Sequence, residues 1–231
     1  MCQNIKSDFH KHHLIAIILS YGEPFEITKE NGQPELYEAV FIQKDTNYKL
    51  ESGNKNHVIF IHLDPYSEYG IQLSQQVQSI QRLEPGSFED VLNDCFVWFR
   101  ENNNNIQRTE QILNAIVSIV ISGTPNTREM DSRVVKCIQY IKQSDLEKIY
   151  IDQMAKLVYL SSSRLSHLFK EETGLTVRQF VLHRKLVKSL QAMYEQHNFT
   201  ESSFMGGFSD QPHFTKTFKK AFGIKPSSSR K

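Results

Sequence analysis

Apolar residues are spread unevenly along the 231 residues of this chain. In the first half they form short runs, at 14–19, 38–42 and 57–63, rich in β-branched and aromatic side chains. Turn material separates the runs: Tyr21-Gly22-Glu23-Pro24, Asn31-Gly32 and Ser52-Gly53-Asn54. This pattern predicts strands of a small antiparallel sheet or partial barrel. Residues 70–77 then suit a short helix. Pro85-Gly86 marks a turn, Ser87 an N-cap with Asp90 three positions on, and Phe88, Val91, Leu92, Cys95, Phe96 and Phe99 make one apolar helical stripe. An asparagine run at 102–105 ends that helix. A second amphipathic helix over 108–121 puts Ile112, Leu113, Ile116, Val117 and Val120 on one face. These two helices either lid the sheet or offer the second stripe to another protomer. A linker is expected at 122–127.

Beyond the linker the period is helical throughout. Helices are expected at 132–143, with Val135, Ile138 and Ile141 inward, and then at 152–158, 161–173, 177–193, 200–205 and 211–222. Two of them are copies at a spacing of 49 residues: Leu165 matches Phe214, Phe169 matches Phe218, Lys170 matches Lys219 and Gly174 matches Gly223. Ser161 and Asp210 start the copies as N-cap types, and each glycine stands where a helix ends in a left-handed turn. Between the apolar positions lie polar and basic residues: Ser163, Ser166, His167 and Lys170 in the first copy, His213, Thr215, Lys216 and Lys219 in the second. A short helix, a tight turn and a helix of this kind constitute a helix-turn-helix reader of the DNA major groove. The intervening helix of 17 residues spans about 25 Å, enough to hold two readers about one turn of B-DNA apart.

Charge sharpens the division. Residues 1–125 carry nine Lys and Arg against 16 Asp and Glu, a net of −7, whereas 126–231 carry 18 against ten, a net of +8. The basic part suits phosphate neutralisation; the acidic part suits small molecules or protein contacts. Cys2, Cys95 and Cys137 form no CxxC pair, so a reduced, cytoplasmic protein is expected. The apolar runs are too short to span a bilayer and no signal-peptide pattern opens the chain, so no membrane association is expected. No Gly-rich phosphate loop, nucleophile elbow or paired-carboxylate constellation is present, which leaves no basis for assigning enzyme activity or a cofactor.

Over about 132–226 the chain resembles the AraC/XylS family of bacterial transcription regulators. Residues 160–174, with Ser161, Arg164, Leu165, Phe169, Lys170 and Gly174, look like that family's first reader. Residues 207–226, with Asp210, Gln211, Phe214, Phe218, Gly223 and Pro226, look like its second. The N-terminal part is similar, more weakly, to the family's cupin-like sensor domains through His10-Lys11-His12-His13 and Leu63-Asp64-Pro65. The resemblance implies an α+β architecture: a small antiparallel, partly cupin-like sensing or dimerisation domain over 1–125, and an all-α double helix-turn-helix domain over 126–231. It places Ser163, Ser166, His167, Gln211, Pro212, His213 and Lys216 at base edges. Lys216 can donate to guanine, the histidines can give one bond to N7, and Gln211 can address adenine bidentately. Ser161, Arg164, Lys170, Thr215, Lys219 and Lys220 fall at phosphates, where they position without reading sequence.

Some positions depart from the family pattern. Ser202 and Ser203 stand for the usual Ile and Ala, Lys185 and Ser189 for Arg and Ala, and Ser229 for an aromatic, while Gly206-Gly207 follows the serines. These departures predict a second reader that is more weakly formed than the first. The resemblance further implies duplex DNA as partner, a homodimer, RNA polymerase as a possible further partner, and an effector whose identity the sequence does not give. Two alternatives remain open. One is a non-specific architectural DNA binder. The other is a metal site in the cupin-like part built on His10 and His12 with His57 or His62, carrying an activity of its own.

Overall fold

The computed structural model describes residues 4–53, 57–74, 79–100, 106–121, 130–195 and 197–226. The expected linker at 122–127, the asparagine run, residues 75–77, Cys2, Asn54 and Ser229 lie outside them. Two compact units are present: Met1–Thr127 with Lys219–Lys231, and Arg128–Phe218.

The first unit contains β1 (Ile15–Tyr21), β2 (Phe25–Lys29), β3 (Pro34–Tyr37), β4 (Ala39–Ile42), β5 (Tyr48–Glu51), β6 (His57–Leu63) and β7 (Ile80–Arg82). They form two antiparallel sheets, ordered β6-β1-β4-β7 and β3-β2-β5. Strand β1 is central, with Ile17 opposite Phe41 of β4 on one side and Ile61 of β6 on the other. Its apolar run does not alternate because both its faces are covered. Ile15, Ile17 and Leu19 pack with Phe41, while Ala16 and Ile18 pack with Phe25, Ile27, Tyr48 and Leu50 of the other sheet. Burying each such Ile contributes about 1.5–3 kcal/mol.

The helices cover the first of these faces. Residues Glu68–Leu73 form α1, Glu89–Arg100 α2 and Ile106–Ile121 α3. Ser87 is not the cap that the sequence suggests: Pro85–Phe88 is a tight 3-10 turn, and the α-helix begins after it. The proline pre-sets the backbone of that turn. Phe88, Val91 and Cys95 join Ile116, Val117 and Val120 of α3 against Ile17 and Phe41, with Ile112 and Leu113 packed on the edge. The wide α3 stripe is therefore consumed by this chain's own core. Its remaining face, with Gln107, Gln111, Asn114 and Ser118, is polar and exposed, so within this chain the stripe packs as a lid on the sheet.

The second unit is helical: α4 (Ser132–Gln143), α5 (Ile151–Leu157), α6 (Ser162–Thr173), α7 (Val177–Tyr194) and α8 (Phe199–Met205), with α9 (Gln211–Phe222) beginning in it. The inward face of α4 is Val134, Cys137, Ile138 and Ile141, so Val134 takes the place expected for Val135. Its N-cap Asp131 accepts from Arg133 N at 2.9 Å, and hydrogen bonds from Arg133 hold the Asp131 carboxyl down at about 2.

Candidate nucleic-acid interface

Each reader is built the same way. In the first, Ser161 caps α6 by accepting from Arg164 N at 3.2 Å, and Gly174 closes it in the left-handed region at φ 81°. In the second, Asp210 accepts from His213 N at 2.7 Å and Gly223 closes α9 at φ 68°. Leu165, Leu168 and Phe169 are buried on α6; Phe214, Phe218 and Phe222 are buried on α9. Phe169 meets Phe180 of α7 edge-on at 5.3 Å. These apolar residues fix the rotation of each helix about its axis and so decide what faces out.

The two turns match in detail. Leu160 N donates to Ala155 O at 2.9 Å, as Phe208 N donates to Ser203 O at 3.0 Å; Tyr159 N donates to Lys156 O at 3.3 Å, as Gly207 N donates to Phe204 O at 2.8 Å. Between the turns the spacing is 48 residues. It becomes 49 in the recognition helices because five residues separate α8 from α9 and four separate α5 from α6.

The outward faces carry the residues singled out from sequence. Ser163, Arg164, Ser166, His167 and Lys170 are exposed on α6, as are Gln211, Pro212, His213, Lys216, Lys219 and Lys220 on α9; Thr215 is half-buried. Several have intramolecular partners. The Ser166 hydroxyl donates to Ser162 O at 2.7 Å, leaving it acceptor capacity toward a base. Gln211 Oε1 accepts from Thr200 Oγ1 at 3.2 Å, and the His213 ring meets Phe208 at 5.2 Å. Within the first unit, Lys219 Nζ lies 3.1 Å from Asp8 Oδ2.

The departures around α8 compensate one another. Ser202 and Ser203 are fully buried, and their hydroxyls donate to His197 O at 3.4 Å and Thr200 O at 2.8 Å. Lys185 Nζ donates to Gly207 O at 2.5 Å, and Ser189 Oγ donates to Lys185 O at 3.1 Å. The second positioning helix thus sits close against α7 on small residues with satisfied hydroxyls, where the sequence pattern suggested a poorly filled core.

The histidines of the first unit are engaged internally. His12 Nδ1 donates to Leu14 O at 2.8 Å, which leaves Nε2 to accept from the Tyr48 hydroxyl at 3.1 Å. His10 Nδ1 donates to Asp8 O at 2.9 Å. His62 lies edge-on to His12 at 5.0 Å, whereas His57 is placed against Phe96. Among the described residues, no group of three or more His, Cys, Asp or Glu side chains is arranged to hold a metal ion, and no helix is long and apolar enough to cross a membrane.

Comparison with known proteins agrees with this geometry. A family described as "Helix-turn-helix domain" matches residues 154–231. The probable transcriptional regulator LumQ of Photobacterium leiognathi is 30% identical over 231 residues, covering 95% of this chain and 90% of that protein. The arabinose operon regulatory protein of Salmonella typhimurium is 36% identical over 107 residues, 44% of this chain and 37% of that protein. In fold, the chain is similar to ToxT from Vibrio cholerae O395, with a TM-score of 0.64 and 14% identity, over 99% of this chain and 94% of that one. With N-terminal antiparallel sheets, a double helix-turn-helix region and a relative matched along nearly its whole length, the chain belongs to the AraC/XylS family of transcription regulators.

Proposed function

We propose that this chain is a cytoplasmic, sequence-specific regulator whose α6 and α9 enter successive major-groove segments of duplex DNA. The observation that carries this reading is the matched pair of capped helices, which expose equivalent polar and basic positions while burying equivalent apolar ones. Helix α7, with 18 residues, is about 27 Å long and serves as the spacer. In this reading Ser163, Ser166, His167, Gln211, Pro212, His213 and Lys216 face bases, and Ser161, Arg164, Lys170, Thr215, Lys219 and Lys220 hold phosphates. The Ser161 oxygen is used by the cap, which leaves its proton for a phosphate oxygen.

The N-terminal sheets serve sensing or pairing of protomers. For sensing, a groove of about 440 Å³ lined by Ser20, Tyr21, Glu38, Pro85, Glu89 and Leu92 offers room for a small molecule. Pairing two protomers on DNA would raise affinity through effective concentration, and RNA polymerase is the further partner expected of such a regulator. Selection of the full chain on a randomised duplex pool tests the proposal. It predicts an enriched motif in two segments about one helical turn apart, and affinity that falls steeply with salt. Binding without an enriched motif would favour the architectural reading, and sedimentation that finds only monomer on the selected duplex would remove the dimer.

A further inference from the structure

Four described non-glycine residues have a left-handed backbone: Asn4, Asn31, Asp45 and Tyr159. Asn and Asp tolerate that region; an aromatic residue does so at a cost. Tyr159, at φ 55°, is also 96% exposed, more than any other large apolar or aromatic side chain described. Its side chain is therefore open to solvent. The matching position in the second reader is Gly207, at φ 85°, with the same backbone hydrogen bond to the preceding helix. Glycine is thus what the turn itself asks for. A tyrosine there has a strained backbone and no packing to offset it.

Its position supplies the reason. Tyr159 lies two residues before Ser161, the N-cap of α6, so its Cα is within about 7 Å of the cap, and it stands at the end of the helix from which Ser163 and His167 project. Residues at the N-terminal end of a recognition helix meet base edges, and those flanking it stand against the sugar-phosphate wall of the groove. We propose that Tyr159 is a DNA contact belonging to the first reader alone: its phenolic hydroxyl donates to a phosphate oxygen beside the segment read by α6. The second reader, with Gly207, has no counterpart. This rests on α6 being a groove reader, as proposed above.

The duplex enriched by the wild-type full chain is the probe, so recovery of a motif establishes DNA reading independently of Tyr159. Tyr159→Phe removes only an exposed hydroxyl, and Tyr159→Asn keeps a residue suited to the left-handed turn. Both should bind that duplex about tenfold to a hundredfold more weakly, as for loss of one hydrogen bond to a charged acceptor. Because tyrosine is neutral and displaces no counterion, the slope of log affinity against log salt should stay at the wild-type value, whereas Lys170→Ala should reduce it by about 0.9. Phosphate ethylation should reveal one interfering position in the first segment that is lost in Tyr159→Phe. Wild-type affinity in either variant, or a weakening accompanied by a shallower salt slope, would overturn the proposal.

Discussion

Gly206 and Ser189 touch so closely that a Cβ at Gly206 would collide with the Ser189 hydroxyl and come within 2.7 Å of Lys185 O. Gly206 has an ordinary right-handed backbone, φ −72°, so the requirement for glycine comes from space alone. Gly206→Ala should destabilise the second unit by about 1–3 kcal/mol, the range for overpacking. Ser189→Ala in the same background should recover only part of that loss, because the Lys185 carbonyl is backbone and stays. Urea denaturation of the single and double variants measures both; an unchanged midpoint in Gly206→Ala would show that α8 shifts freely on α7.

The burial of Ser202 and Ser203 argues against an expectation drawn from the first reader. Comparison with Met154 and Ala155, 48 residues earlier, suggests that Ser202→Ile with Ser203→Ala adds burial and stabilises the fold. Both serines are fully enclosed with their hydroxyls satisfied, so Ser202→Ile must push α8 outward. It should cost about 1–3 kcal/mol, while Ser203→Ala alone, losing one local hydrogen bond, should cost about 1 kcal/mol. Amide exchange over 200–218 in the wild type should then be as slow as over 152–169. Markedly faster exchange there would restore the picture of a loosely formed second reader.

Much of this was legible in the sequence where one signal decided one feature. The caps Ser161 and Asp210 and the glycines Gly174 and Gly223 bound α6 and α9 because each satisfies a helix end locally. Strands β2, β3, β5 and β7 were not legible: they are three to five residues long, and in β3 only Tyr37 is buried. The fit of Gly206 to Ser189 was also hidden. It depends on how closely two helices approach, a tertiary quantity that small residues permit and do not announce. Tyr159 was missed because backbone handedness at a single turn residue has no pattern in one sequence.

Base reading and phosphate holding separate by measurement. Lys216→Ala and His167→Ala should relax preference at particular base pairs, by about 1–3 kcal/mol for a good bidentate contact and less for a single bond. Lys170→Ala should weaken all duplexes alike. A randomised-site selection with each variant checks this; a relaxed motif in Lys170→Ala with an unchanged one in Lys216→Ala would mean that α6 and α9 present different faces to the groove.

Acid should weaken the first unit through His62. Burial, and then the charge of His10, lower its pKa from the ordinary 6.5 to about 4, so the folded state holds the ring neutral where the unfolded chain takes up a proton. Stability from His62 is therefore fully present above pH 6.5, declines as pH falls below it, and is gone once pH passes through about 4. His10 is lowered as well, chiefly by burial, and acts in the same direction. The thermal midpoint of the wild type should drop more steeply between pH 6.5 and 4 than that of His62→Gln, in which the titrating ring is absent and the carboxylates are unchanged. Proton resonances of the His62 ring give a direct check. A titration centred near 6.5 would show that the ring is solvated in the folded protein and that its neighbours leave it free to charge.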